Sequence, residues 1–254
     1  MNIYEELSAI MEDINLQVSA EDLAHLITQA SKEHSDNTEF LVSFITHLRA
    51  SKNAKKFDSL LRKSKIEKPK YLSEFDFSFQ PGLDKREIME HAKLGFLKAH
   101  ENIILLGLNG RGKSHIATAL GMECIKEGRR VLMISQAQMI EHLLGVITKF
   151  GVISNRVWAK YTKPDLLIID DVGNRRVDRT GSELFAEVVA RRYEKGSIII
   201  TSTKTFSEWP LNFTPEHSAE AVDKLVHHSI IITIKGPSYR LKEKLDLLKG
   251  TSLA

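Results

Sequence analysis

Apolar residues recur along this chain in two rhythms. Near the start they return at helical spacing: Ile3, Leu7, Ile10, Met11 and Ile14 predict a helix over 3–16. A second follows over 20–31, with Ser19 ahead of Glu21 and Asp22 as its start. Ser35-Asp36-Asn37-Thr38 reads as a loop, in which Asn37 or Thr38 is placed to cap a third helix carrying Phe40, Leu41, Phe44, Ile45 and Leu48. Phe75, Phe77 and Phe79 then alternate before Pro81-Gly82, the mark of an extended linker and a turn. Beyond it the rhythm changes. Short runs apolar on both faces occur at 103–107, 131–135, 166–170, 198–202 and 230–234, separated by helical patterns at 86–98, 113–127, 136–149, 181–194 and 218–227. Strands apolar on both faces must be covered on both. The alternation therefore predicts an α/β fold: a five-stranded parallel sheet with helices on each side, preceded by a small α-helical domain.

Charge sharpens the division. Residues 1–48 carry nine acidic groups against Lys32 alone, and residues 49–70 carry nine basic groups against Asp58 and Glu67. Such a block asymmetry predicts two modules, with a boundary between about 65 and 75: a helical domain at 1–70 and the α/β domain at 71–254. The apolar runs are strand-sized, far short of a membrane span. The acidic N-terminus lacks the basic region of a secretory signal, so a cytoplasmic protein is expected. Cys124, the single cysteine, has no internal partner and reads as a small buried helix residue.

The candidate chemistry lies where a strand meets a helix. Gly107-Leu108-Asn109-Gly110-Arg111-Gly112-Lys113-Ser114 fits G-x-x-x-x-G-K-[ST] without a mismatch. Glycines let such a loop turn its N–H groups inward onto phosphate oxygens, and the following helix presents its positive end to the same anion. Lys113 is placed to reach the β- and γ-phosphates of ATP, and the Ser114 hydroxyl to ligate Mg2+. Fifty-seven residues after Lys113, the apolar run Leu166–Ile169 delivers Asp170 and Asp171 at a strand's C-terminal end, where open α/β sheets bind ligands. Asp170 is expected to hold the Mg2+ and Asp171 to orient the attacking water. The alternative reading, in which Asp170 closes the strand and Asp171 is solvated, stays open on this pattern alone.

From Lys85 to Arg240 the chain resembles the IstB-like helper ATPases of bacterial insertion sequences, relatives of the DnaC helicase loaders in the AAA+ class. The likeness is carried by Phe75-Asp76-Phe77, Pro81–Asp84, Pro164–Gly173, Ala190–Gly196, Phe206–Trp209, His227-His228-Ser229 and Gly236–Leu241, beside the phosphate loop. It implies ATP at the interfaces of a homo-oligomer, non-specific binding of duplex DNA, and help to a transposase in selecting its target. Three departures stand out. Thr203 occupies the place of the family's water-positioning Asn. Lys224 replaces the Arg that resembles a trans-acting finger, and Asp171 stands where Glu is common. Thr203 and Lys224 thus join Asp171 as expected catalytic positions, with hydrolysis expected to be slow, because Lys cannot make the forked contact of Arg.

The basic block is the candidate DNA contact, through Arg49, Lys52, Lys55, Lys56, Arg62, Lys63 and Lys65. No base-reading motif accompanies it, so binding should be sequence-independent. Arg191 and Arg192 read either as a solvated helix face or as part of a subunit interface. Trp209 and Phe206 read as core anchors, and His217, His227 and His228 as structural residues at a helix end. Rival functions are a DnaC-like helicase loader, a non-hydrolysing ATP-binding adaptor, and a small-molecule kinase, for which no lid segment is evident.

Overall fold

The structure, a computed structural model, describes residues 2–13, 16, 18–33, 36–242 and 244, and of residues 215–220 the backbone alone. Ile14, Ser35 and the side chain of His217 lie outside the described residues. Two compact units divide the chain, Met1–Ser59 and Leu60–Ala254.

The first unit holds α1 (Ile3–Asp13), α2 (Ala20–Lys32) and most of α3 (Asn37–Ser64). Its core is small: Met11, Val18 and Leu23, with Tyr4, Leu16, Phe44 and Leu48 packed against them. Ile3, Leu7, Ile10, Leu41 and Ile45 share the predicted helical faces but stay exposed. The cap of α3 is neither Asn37 nor Thr38. Asp36 accepts from the N–H groups of Thr38 (2.7 Å) and Glu39 (2.8 Å), while Glu39 reaches back to the Asp36 N–H. No Gly or Pro interrupts residues 37–64, so α3 runs on through the basic stretch.

The second unit begins within that helix, earlier than the boundary expected near 65–75. The reason is burial: Ser64, Ile66 and Leu72 are all buried, and Ile66 lies against Gly121 of α6 (Lys113–Lys126). The alternating phenylalanines do not form an extended linker. Asp76 accepts from the Phe79 N–H and tightens the chain into a 3-10 turn at 77–79, after another at 72–74. The helix expected at 86–98 breaks into α4 (Lys85–His91) and α5 (Gly95–Lys98), because Leu94 between them takes a left-handed φ of 63°. The remaining helices are α7 (Gln136–Phe150), α8 (Asn155–Thr162), α9 (Arg179–Arg192) and α10 (Pro215–His227).

Five strands, β1 (Asn102–Leu106), β2 (Val131–Ser135), β3 (Leu166–Val172), β4 (Ser197–Ser202) and β5 (Ser229–Thr233), pair in parallel in the order β2-β3-β4-β1-β5. Ile103–Leu105, Leu166–Ile169 and Ile198–Ile200 are buried at 0–2% exposure, as strands covered on both faces must be. This order sets the C-terminal ends of β1, β4 and β3 side by side, which gathers the loop after β1, the acidic pair, Thr201 of β4 and Thr203 just past it at one edge.

Candidate functional site

At that edge the chain leaves β1 at Leu106 and enters α6 at Lys113 through the glycine loop. Gly112 adopts φ 91°, and a Cβ there would run into the Phe75 ring. The outside of the loop is held by the segment after β5. The Tyr239 N–H donates to the Gly110 carbonyl at 2.9 Å, and Arg111 Nη1 donates to the Ile234 carbonyl at 3.2 Å. Holding the Gly110 carbonyl and the Arg111 side chain on that side leaves loop N–H groups for an anion on the other.

Lys113 is only 5% exposed, and its Nζ donates to the Leu108 carbonyl at 3.0 Å. Burial pulls this ammonium below the usual lysine range. Asp171 and Asp170 draw it back up, while Arg240 and Arg111 add to the lowering. A cation so placed gains from any anion that enters the loop.

The acidic pair sits on a β-bulge. Ile169 pairs with Ile200 and Val172 with Ser202, so Asp170 and Asp171 together oppose Thr201 alone. In a regular strand their side chains would point to opposite faces. Here the Thr201 hydroxyl donates to Asp170 Oδ1 at 2.5 Å and accepts from the Asp171 N–H at 3.0 Å, with Asp171 at φ 58°. Ser114 Oγ donates to the same Asp170 oxygen at 2.8 Å. Loop and acidic strand are thereby joined. Ser114 and Asp170 form a pair of hard oxygens that suits Mg2+, which usually takes one or two protein ligands and completes its shell with phosphate and water. Among the described residues no group of three His, Cys, Asp or Glu forms a protein cage for a metal.

Asp171 is exposed as a residue, yet partial burial of its carboxyl and the neighbouring Asp170 charge hold it above the usual carboxylate range. Lys113, Arg240 and a hydrogen bond from Asn174 pull the other way. Thr203, at the end of β4, does not reach Asp171 directly; its hydroxyl donates to Asn174 Oδ1. Asn174 was not among the expected site residues, and Arg240 was a candidate only for the trans-acting charge should Lys224 fail. Each arrives through tertiary structure: Asn174 by the turn after β3, Arg240 by the crossing of the C-terminal segment over the loop.

Lys224 stands apart from this cluster. It lies in the last turn of α10, beside Tyr193 and Asp223. Ser229 of β5 pairs with Asn102, the first residue of β1, whereas the glycine loop follows the last. Lys224 therefore lies on the helix that leads into the end of the sheet opposite the phosphate loop. Arg192 departs from both expectations for it. It is 1% exposed and donates to the carbonyls of Tyr161, Pro164, Asp165 and Ser197, so it is neither a solvated face nor open to a neighbour. Arg191 pairs with Glu187 and stacks on Trp158, 4.4 Å from the ring centroid. Trp209 is fully buried against Phe185, Phe206 and Phe213. His227 meets the Tyr193 hydroxyl and His228 meets Glu194. The seven basic residues are all exposed, but they divide between the units: Arg49, Lys52, Lys55 and Lys56 in the first, Arg62, Lys63 and Lys65 in the second.

Comparison with known proteins decides the family. Residues 9–246 match the IstB-like ATP binding proteins. The chain belongs to that family. An ATP-binding protein of insertion sequence IS21 from Pseudomonas aeruginosa is 35% identical over 94% of this chain and 90% of its own length. One of insertion sequence IS5376 from Geobacillus stearothermophilus is 36% identical over 91% of this chain and 92% of its own. Among solved structures, a DnaC helicase loader superposes with a TM-score of 0.51 at 19% identity, over 67% of this chain and 95% of that one, a likeness of fold alone. This IstB-like chain is therefore an ATP-binding protein with the P-loop AAA+ fold. Among its described residues no helix is long and apolar enough to cross a membrane.

Proposed function

We propose that this protein hydrolyses ATP, assembles with copies of itself on duplex DNA while the nucleotide is intact, and assists the transposase of an insertion sequence. The observation that carries the hydrolytic reading is the bond from Ser114 to Asp170, which joins a complete phosphate loop to an acidic pair on a bulge. The N–H groups of Gly107–Ser114 and the Lys113 ammonium bind the phosphates, and Ser114 and Asp170 hold Mg2+. When bound, that ion neutralises charge on the β- and γ-phosphate oxygens. Asp171 orients a water and takes its proton as the water oxygen bonds to the γ-phosphorus and the bond to the β-phosphate oxygen breaks, giving ADP and phosphate.

The assembly reading is supported by Lys224. It lies on the helix leading into the end of the sheet away from its own phosphate loop, and in this reading its ammonium serves a neighbour's nucleotide. The γ-phosphate then joins two subunits until it is cleaved, and ATP acts as an assembly switch. The DNA reading rests on the exposed basic residues, and the transposase on the insertion-sequence relatives. The test is to size the full protein by sedimentation with and without ATP, Mg2+ and a DNA duplex. Larger species that need both ATP and DNA and decay as phosphate is released are expected. A protein that stays one size throughout would sink the assembly reading, and one that releases no phosphate would sink the hydrolytic one.

A further inference from the structure

The water-positioning amide expected at position 203 is missing, yet an amide does reach Asp171. Asn174 Nδ2 donates to Asp171 Oδ1 at 3.1 Å, and Asn174 Oδ1 accepts from the Thr203 hydroxyl. We propose that Asn174 is a positioning residue for ATP hydrolysis, coupling Thr203 at the end of β4 to the Asp171 carboxylate and supplying the amide that Thr203 lacks. This rests on the hydrolytic reading above and adds to it a residue that no motif marks.

The turn that presents Asn174 is anchored on both sides. Asp171 and Gly173 take left-handed φ values of 58° and 77°, which fold the chain back so that residue 174 faces residue 171. Val172 between them is fully buried, and its carbonyl accepts from Ser202 Oγ at 2.7 Å. The Gly173 N–H donates to Gln136 Oε1 at 2.7 Å, and a Cβ at 173 would lie 3.4 Å from the buried Trp209 ring. The far end is also fixed, since Ser202 Oγ accepts from the Lys204 N–H at 3.0 Å and so closes a turn around Thr203.

All donors in this relay point one way, from hydroxyl to amide to carboxylate. Each bond polarises the next, and the carboxylate at the end is held in one orientation. With Oδ1 engaged, Asp171 Oδ2 is the oxygen left for a water, and among the described residues it accepts no hydrogen bond. Thr203 therefore acts through Asn174 and touches no reacting atom.

A double-mutant cycle in the full-length protein tests the relay, beside an NMR readout that needs no turnover. Asn174→Ala should lower kcat about tenfold with KM for ATP unchanged, as loss of an interaction that matters only to the chemical step. Thr203→Val should lower it less, and Thr203→Ser should recover the loss. The double variant Asn174→Ala with Thr203→Val should be no slower than Asn174→Ala alone, because residues in one network are not additive. Losses that multiply, or a KM that rises while kcat holds, would overturn the relay. In the nucleotide-free protein, the side-chain amide resonances of Asn174 should move in Thr203→Val and keep their place in Thr203→Ser. Resonances indistinguishable from a solvated asparagine and indifferent to Thr203→Val would equally overturn it. If the native protein releases no phosphate, the hydrolytic reading fails and the NMR result alone decides the relay.

Discussion

At the scale of single residues, burial and charge say what two side chains will do. Lys113 is an almost covered ammonium whose own carbonyl contact is with Leu108, and phosphate replaces a weak neutral acceptor with an anionic one. Lys113→Ala should cost roughly 1.5–3 kcal/mol of ATP binding, or about ten- to a hundredfold in affinity. Titration with a fluorescent ATP analogue measures it, and unchanged binding by a folded variant would remove Lys113 from the site. Cys124 shows the opposite case. Burial pushes its thiol up to about 12, so at pH 8 only about one molecule in ten thousand carries the reactive thiolate. A disulfide reagent should therefore leave the native protein unmodified at pH 8 and label one thiol once urea unfolds it. Rapid labelling without denaturant would show that α6 opens readily.

Among the elements, α3 carries the clearest prediction. Its exposed basic residues, with Lys65 just past its end, divide into a set on the first unit and a set at the head of the second, so each set can be neutralised separately. For each DNA phosphate that no longer meets a basic side chain, the slope of log affinity against log salt should flatten by about 0.9 on duplex DNA. Anisotropy titrations at several salt concentrations give that slope for changes at Arg49, Lys52, Lys55 and Lys56, and for changes at Arg62, Lys63 and Lys65. A slope untouched by either set would move the DNA site away from this helix. The same elements show what a sequence can disclose. All five strands lie within about two residues of their expected ends, since a run apolar on both faces has few other places to go. The phosphate loop was legible because its chemistry is local and contiguous. The bulge was not: nothing in Asp170-Asp171-Val172 says that Thr201 will face two residues at once. Asn174 was hidden for the same reason, being brought to the site by a turn, as was the place of Arg240 beside Lys113 and Asp171, which a chain crossing supplies. The small core of the first unit was over-read, because helical spacing marks an apolar face without saying that anything covers it.

For the whole molecule, the proposed role of Lys224 at a neighbour's nucleotide would make the rate of hydrolysis a property of the assembly. Arginine fingers contribute about 10³–10⁵ in rate where they have been measured, and an ammonium recovers only part of that. Lys224→Arg should therefore raise steady-state phosphate release and shorten the lifetime of DNA-bound complexes, at protein concentrations where subunits associate. Should the change slow a protein that already turns over quickly, Lys224 is no substitute finger, and Arg240 becomes the group to test. The strand order carries a last consequence, for the timing of synthesis. β1 leads into the phosphate loop, but both of its partners, β4 and β5, are made long after it, and the segment that ties down Gly110 and Arg111 comes later still. A ribosome must have added Tyr239 before the loop's last support exists. Contacts between such distant parts of a chain form slowly. From Asp171 to Tyr239 the newborn chain thus carries every expected phosphate and Mg2+ ligand before the loop's last support is made. Nascent chains halted before Ser229 should capture no ATP analogue, and the finished chain should acquire that ability in a single late step.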